Sequence, residues 1–218
     1  MKAAFLVLLF LWLNNNLLKA QAGSLDPDFG TDGVVAFDIN NSSDDLLNSS
    51  VLQPDGKIIV GGLHRDGSNT NSFDFLLLRF LSNGTLDKDF GEDGKVVTDI
   101  QGAFDRGTSL HLLPDGKIML AGTTRLNSQE ELAFVRYLPD GSLDPDFGID
   151  GIFFTSLGLP IGSTTQFLFL PDGKILAYGA SSEDPLESDF TMIRFFPDGS
   201  VDTSFGTDGI AAGRCARR

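Results

Sequence analysis

The nonapeptide LDKDFGEDG at residues 86–94 decides the fold, because closely similar stretches occur four times along the chain. The other copies are LDPDFGTDG at 25–33, LDPDFGIDG at 143–151 and VDTSFGTDG at 201–209. Successive copies start about 60 residues apart, and self-similarity at a fixed period of this size is typical of solenoids, propellers and other repeat architectures. The stretch therefore indicates a chain built from equivalent units.

Two further markers recur between these copies, always in the same order. They are the turn sequence PDGK, at 54–57, 114–117 and 171–174, and an arginine between apolar residues, at 78–80, 135–137 and 193–195. Three markers at matching spacing define three full units and the opening of a fourth. The units extend over 23–209, which we predict to be one repeat domain.

Each unit is predicted to contain four short strands. In the second unit these are 95–100, 108–113, 117–122 and 132–138, all rich in β-branched and aromatic residues and bounded by turn signals. PDGK suits a tight hairpin, because proline presets φ and glycine accepts the left-handed conformation. Repeated four-stranded antiparallel units predict an all-β, β-propeller-like fold with about three blades and a partial fourth. Propellers close with roughly four to eight blades, so the predicted ring is incomplete.

The three markers together resemble the delta-60 repeat family, which is known mainly from exported bacterial proteins. The resemblance covers nearly all of 23–209 and implies an extracellular, propeller-like protein. The family has no established enzymatic activity, so the resemblance implies no catalytic residues.

Both ends of the chain differ from the repeats. Residues 1–22 combine a basic start, an apolar run at 3–13 and the small-x-small sequence AQA at 20–22. This order predicts a cleaved secretory signal peptide and hence a secreted or cell-surface protein without an integral membrane segment after cleavage. We interpret 210–218, which contains Cys215 and three arginines, as an atypical basic tail. Such an end suits a natural tail or a truncated piece of a longer repeat protein.

Composition excludes several classes of function. The 218 residues include 16 Lys and Arg against 30 Asp and Glu, a net charge of −14, which argues against nucleic-acid binding. One Cys and two His leave no disulfide framework and no metal-spaced His/Cys cluster. We find no nucleophile elbow or phosphate loop and expect neither catalytic residues nor a cofactor. His111 is best explained as a strand residue in place of a hydrophobe, since Val51 and Leu168 stand at the equivalent positions.

The acidic copies raise the alternative of calcium binding. Asp26, Asp28 and Asp32 lie within seven residues, but glycine stands where a calcium loop needs its third acid, and no late Glu follows. We favour structural roles, in which the first acid caps a turn, the final Asp-Gly forms a second turn and the Phe enters the core. No metal ligands are therefore predicted.

The recurring arginine predicts a set of structural ion pairs. In each unit it lies eight residues before the first Asp of the next motif, with a hairpin turn midway, so the two side chains should lie opposite each other. The predicted pairs are Arg79 with Asp87, Arg136 with Asp144, and Arg194 with Asp202.

Binding residues are instead predicted in segments that differ between units, because repeat scaffolds carry recognition on variable loops. The candidates are His64, Arg65, Asp66, Arg125, Glu130, Glu131, Glu183, Asp184 and Glu187. We expect an exported, non-enzymatic scaffold that binds a protein or a glycan, or contributes to a cell-surface assembly. The alternatives are a fragment with no independent function and a propeller-based hydrolase or lyase. Two chains could also pair their open blade edges as a homodimer.

Overall fold

The computed structural model describes residues 23–37, 39, 44–65, 72–126, 128–155, 165–180 and 190–213. Every regular element in these ranges is a β-strand. The twelve strands are β1 Leu46–Leu52, β2 Ile58–His64, β3 Asp74–Phe80, β4 Lys95–Thr98, β5 Phe104–Leu112, β6 Ile118–Leu126, β7 Gln129–Tyr137, β8 Ile152–Thr155, β9 Gln166–Phe169, β10 Ile175–Ala180, β11 Phe190–Phe195 and β12 Ile210–Gly213. No helix in the described part of the chain is long and apolar enough to span a bilayer.

The strands form three antiparallel four-stranded sheets, β1–β4, β5–β8 and β9–β12, each with its strands in sequence order. The predicted all-β, propeller-like fold with unclosed sheets is therefore confirmed. The grouping of strands within a unit was wrong, however. The strand predicted at 95–100 as part of the second unit is observed as Lys95–Thr98, which pairs with β3 and completes the first sheet, with Leu78 opposite Lys95 and Phe75 opposite Thr98.

Turn chemistry explains this grouping. The last Asp-Gly of LDKDFGEDG is a two-residue hairpin, in which Asp93 has φ 52° and Gly94 has φ 93°. Glu92 and Lys95 exchange backbone hydrogen bonds of 2.8 and 3.1 Å across it. Two consecutive left-handed residues match the twist of a tight hairpin. The turn thus returns the chain beside β3 before it crosses to the next sheet.

Apolar side chains between neighbouring sheets form the core. One cluster joins the first two sheets and includes Phe75 and Phe90 from the first and Tyr137 from the second, all fully buried. A second cluster joins the second and third sheets around Phe134 and Phe195. Exposing an apolar sheet face to water costs free energy. Stacking against the next sheet supplies the burial that each blade lacks alone.

The ends of the repeat array differ from what we expected. Residues 23–37, here called the N-terminal arm, lie against the outward face of the first sheet, where Val35 packs with Leu78 and Phe80. At the other end, Ile210–Gly213 pairs with β11 as the fourth strand of the third sheet. The first four residues of the expected tail, 210–218, therefore belong to the repeat domain. They form a strand because the Asp-Gly turn at 208–209 reverses the chain in the same way as its earlier copies.

Candidate functional site

Constant and variable residues lie at opposite ends of the sheets. The PDGK turns connect the first and second strands of each sheet, while the second and third strands are joined at the other end by segments that differ between units. We call these the constant end and the variable end. The predicted signal peptide and the candidates Asp66, Glu183, Asp184 and Glu187 lie outside the described residues.

The constant end contains the three predicted ion pairs. The Nε of Arg79, Arg136 and Arg194 donates to Oδ2 of Asp87, Asp144 and Asp202 at 2.7, 2.6 and 2.8 Å. The carboxylates are at most 5% exposed. The hairpin geometry brings each pair together, since the Asp87 amide donates to the Arg79 carbonyl oxygen at 2.8 Å.

Sequence reasoning missed a third member of each cluster. The lysine of PDGK contacts the same aspartate oxygen, with Nζ–Oδ2 distances of 2.9 Å for Lys57–Asp87, 2.9 Å for Lys117–Asp144 and 3.0 Å for Lys174–Asp202. The signal was available, because this lysine recurs in all three PDGK copies. The three sequence markers of each unit therefore meet in one Lys–Asp–Arg cluster.

These clusters hold the aspartates in their charged form. Burial alone would raise the pKa of Asp87 and of Asp144, but the hydrogen bonds from their lysine and arginine partners outweigh it and lower both values. The pKa of Asp202 is also lowered, chiefly by the hydrogen bond from the Ser204 hydroxyl. Each aspartate is therefore held charged between two cations, as the predicted structural ion pairs require.

The first cluster also connects two blades. Arg79 lies over the ring of Phe90 at 4.4 Å, and its Nη1 donates to the Pro139 carbonyl oxygen of the second sheet at 2.6 Å. The Gly91 amide donates to the Asp140 carbonyl oxygen of the same turn at 2.8 Å. Two polar contacts and a buried phenylalanine thus fix the turn of one blade on the next.

The other acids of the motif have structural roles as well. Asp26 Oδ1 accepts the Asp28 amide at 3.0 Å, and Asp87 Oδ1 accepts the Asp89 amide at 3.3 Å, so the first acid caps a turn. Asp32 has φ 53° and forms the Asp-Gly hairpin. These contacts give Asp26 and Asp32 the turn-forming roles that the sequence predicts.

At the variable end, His64 departs from its expected role. It was predicted in a binding loop, but only 4% of it is exposed, and its Nδ1 lies 2.6 Å from Asp45 Oδ1. Its position at the end of β2 directs the ring inward. Arg65, the next residue, is partly exposed, pairs with Asp44 at 2.9 Å and lies 4.4 Å from the Phe73 ring centre. Arg65 therefore remains a surface candidate and His64 does not.

Arg125, Glu130 and Glu131 lie together where β6 meets β7. Arg125 pairs with Glu130 across the strands, and Glu131 is opposite Thr124. The Arg125 side chain is 52% exposed and lies 3.5 Å from Glu130 Oε1. Its guanidinium is also 5.7 Å from the Phe104 ring centre. Arg125 and Glu130 therefore share one accessible patch, while Glu131, opposite Thr124, lies on the other face of the strand pair.

A buried acid beneath this patch was not predicted. Asp105 is fully buried at the junction of the first two sheets, where its Oδ1 accepts from Thr124 Oγ1 at 2.6 Å and its Oδ2 accepts from the Ile100 amide at 2.7 Å. Carboxylate oxygens of Asp74, Asp99 and Asp105 all lie within 4.8 Å of one another. Within the described ranges, these are the residues that could hold a metal ion.

Burial raises the pKa of Asp105 to about 7, although hydrogen bonds from Thr124 and Ile100 oppose the rise. The charges of Asp99 and Asp74 add to it. A perturbed carboxyl can indicate an active site. Here the side chain is already bonded and has no exposed surface, so a substrate cannot reach it without local opening.

His111 occupies the apolar role that its repeat position predicts. Its ring stacks on Phe169 of the third sheet, with centres 4.5 Å apart and planes 6° from parallel. Burial lowers its pKa, which favours the neutral form. His111 therefore contributes to packing between the second and third blades.

Comparison with known families identifies the repeat. Residues 53–90, 113–147 and 170–205 match the model of a family described as a domain of unknown function (DUF5122) beta-propeller, and the matches cover half of the chain. The chain belongs to this family. Each match begins next to a PDGK turn and ends at the phenylalanine of the nonapeptide, so each spans the three sequence markers of one unit. This confirms the predicted delta-60 repeat membership. No curated protein and no solved structure matches the chain.

Proposed function

We propose that this β-propeller repeat protein is an exported, non-enzymatic scaffold that binds a glycan or a protein through its variable end. The observation that carries the proposal is the segregation of the repeat motifs. All three markers are used in the constant-end clusters that stabilise the blades, whereas the described residues of the segments that differ between units lie at the opposite end. Repeat scaffolds commonly separate frame and recognition in this way.

The accessible patch at the variable end has suitable chemistry for such a ligand. Arg125 offers guanidinium donors, Glu130 offers an acceptor, and the half-buried Phe104 adds an apolar surface beside them. A glycan needs this combination of hydrogen-bonding groups and a flat apolar contact. A surface with both charge signs also suits a protein partner, which is the second candidate.

Binding can be tested by titrating the purified chain onto a panel of immobilised polysaccharides of neutral and acidic type. We expect at least one polysaccharide to bind saturably, and Arg125→Ala to weaken that binding about tenfold or more, as loss of a charged interfacial contact does. Lys88→Ala, which removes an exposed cation at the constant end, is the matched control and should have no effect. Binding that weakens equally in both variants would contradict recognition at the variable end.

Export is tested separately. When the full gene is expressed in a secreting host, the protein recovered from outside the cytoplasm should begin at Gly23. Protein that retains Met1 and stays in the cytoplasm would contradict the export part of the proposal while leaving the binding part open to its own test.

A further inference from the structure

The N-terminal arm and the end of the third sheet are two versions of one structural element. Residues 29–33 and 205–209 have the same sequence, FGTDG, and each makes the same turn, with Thr31 bridged to Val34 and Thr207 bridged to Ile210. In the second of these, the chain continues as β12, the fourth strand of the third sheet. Residues 34–37 occupy the corresponding position after the first turn.

The arm docks on the first sheet as a preceding blade would. Its Gly30 amide donates to the Asn83 carbonyl oxygen at 2.8 Å, which reproduces the Gly91–Asp140 contact between the first two blades. Val35 lies against Gly84 as Val96 lies against Gly141. The arm is therefore positioned as a fourth strand, yet among the described residues no third strand lies beside it.

The ion cluster of the arm is likewise incomplete. Asp26 corresponds to Asp87, Asp144 and Asp202, which are at most 4% exposed and are each held by a lysine and an arginine. Asp26 itself is exposed, and no Lys or Arg in the described ranges forms an ion pair with it. A sheet that offers a Lys–Arg pair of the repeat type, once its own aspartate is displaced, would complete this cluster.

The third sheet can supply that pair, because its own fourth strand is weak. β12 has the sequence IAAG, whereas the arm offers VVAF at the equivalent positions. Val and Phe favour strands, while Ala and Gly disfavour them. The outward face of the third sheet also leaves Leu168, Tyr178 and Phe190 between 43 and 52% exposed.

We propose that two copies of this chain join by strand exchange, with residues 25–37 of each copy replacing residues 201–213 in the third sheet of the other. In the joined form, Asp26 of one copy takes the place of Asp202 against Arg194 and Lys174 of its partner. Two such junctions connect six blades in a closed ring. Closure buries the apolar faces at both ends of the array and pairs the arm, whose strand edge is otherwise open to uncontrolled pairing.

The register of the exchanged strand defines a cross-linking test. Thr191 lies opposite Ala212 in the observed sheet, so exchange places it opposite Ala36 of the other copy. Arg194 and Gly209 form a hydrogen-bonded pair, because the Arg194 amide donates to the Gly209 carbonyl oxygen at 3.1 Å. Hydrogen-bonded and non-hydrogen-bonded pairs alternate along an antiparallel ladder, so the pair at Thr191, three positions further, is non-hydrogen-bonded and closely spaced. Cysteines at such positions are within disulfide distance.

The full chain with Cys215→Ser is the background for two cysteine variants. Ala36→Cys with Thr191→Cys should oxidise to a covalent dimer that reduction reverses. Thr191→Cys with Ala212→Cys should instead lock β12 within its own sheet and leave a monomer by light scattering. A locked variant that still forms dimers, or an exchange variant that forms none, would overturn the proposal. Circular dichroism of both variants, oxidised and reduced, shows that each is folded.

A charge variant provides an independent measurement. Light scattering of the unmodified chain should give twice the chain mass, and Asp26→Asn should raise the dimer dissociation constant about tenfold or more, because it leaves a cation pair without its anion. Asp28→Asn, two residues away and exposed, is the control and should leave the constant unchanged. A monomer at all accessible concentrations would refute exchange between copies.

Discussion

Replacing Asp105 by Asn should remove a pH-dependent loss of stability. The folded protein holds the Asp105 proton far more tightly than the unfolded chain, because burial raises its pKa from 3.8 to about 7. A group of this kind favours the fold most when it is protonated in both states. Its contribution falls as the pH rises from about 4 to about 7 and then levels off.

The magnitude follows from the two pKa values. A tenfold change in proton affinity corresponds to about 1.4 kcal/mol, so ionisation above pH 7 costs the folded state up to about 4 kcal/mol. Asn is uncharged, and its amide can donate to the carboxylates of Asp74 and Asp99. Both carboxylate oxygens of Asp105 accept hydrogen bonds, whereas Asn has one acceptor oxygen. That oxygen can keep the Ile100 amide as a weaker, neutral bond, and the Thr124 hydroxyl must turn to accept from the new NH2 group, so some stability is lost in return. We expect a net gain of about 2 kcal/mol at pH 8.

Urea unfolding of both proteins at pH 5, 6, 7 and 8 provides the measurement. The contribution of His111 to stability falls as the pH falls, opposite to that of Asp105. Both proteins contain His111, so the difference between their free energies of unfolding isolates Asp105. The difference should grow from pH 5 to pH 7 and then level off. Asp99→Asn, which alters an exposed neighbour, should reproduce only a small part of it. A difference that does not change with pH would refute the buried-carboxyl argument.

Three further predictions concern the blades. Asp144→Asn should lower the free energy of unfolding in urea by about 2–3 kcal/mol, because it leaves two cations without their anion. The control Asp115→Asn, at an exposed turn, should lower it by under about 0.5 kcal/mol. Equal losses in the two variants would contradict the stabilising role of the cluster. Gly141→Ala should lower the melting temperature more than Gly102→Ala, since both have positive φ but only at Gly141 would a new Cβ lie 2.9 Å from Phe90. His111→Leu should raise stability more at pH 5 than at pH 8. Burial lowers the pKa of His111 below its ordinary value of 6.5, so acid protonates the unfolded chain more readily than the folded protein. An unchanged pH profile would argue against the burial of the ring.

Local features of the sequence predicted much of the framework. The Asp-Gly and PDGK turns formed where expected, because their backbone preferences depend on neighbouring residues alone. The eight-residue spacing of Arg136 and Asp144 likewise predicted their pairing, since a hairpin brings such residues opposite each other. The same reasoning placed His111 correctly as a packing residue.

Features that depend on contacts between distant segments were not predicted. Lys95–Thr98 belongs to the first sheet because it forms hydrogen bonds with β3 after the turn. Its alternation of apolar residues would fit either the first or the second sheet, so the sequence pattern does not distinguish them. The burial of His64 depends on Asp45 across the sheet. The acid cluster at Asp105 joins three segments that are brought together only by the stacking of two blades.

The sequence by itself therefore determined the repeat, the turns and the short-range ion pairs, because these depend on residues a few positions apart. Only the tertiary structure decided which strands share a sheet, that a lysine completes each ion cluster, and where a buried carboxyl meets its neighbours. These outcomes depend on the free energy of stacking whole sheets, to which many distant residues contribute at once. The local sequence patterns are compatible with several such arrangements of the strands, and only the packing between sheets distinguishes one from another.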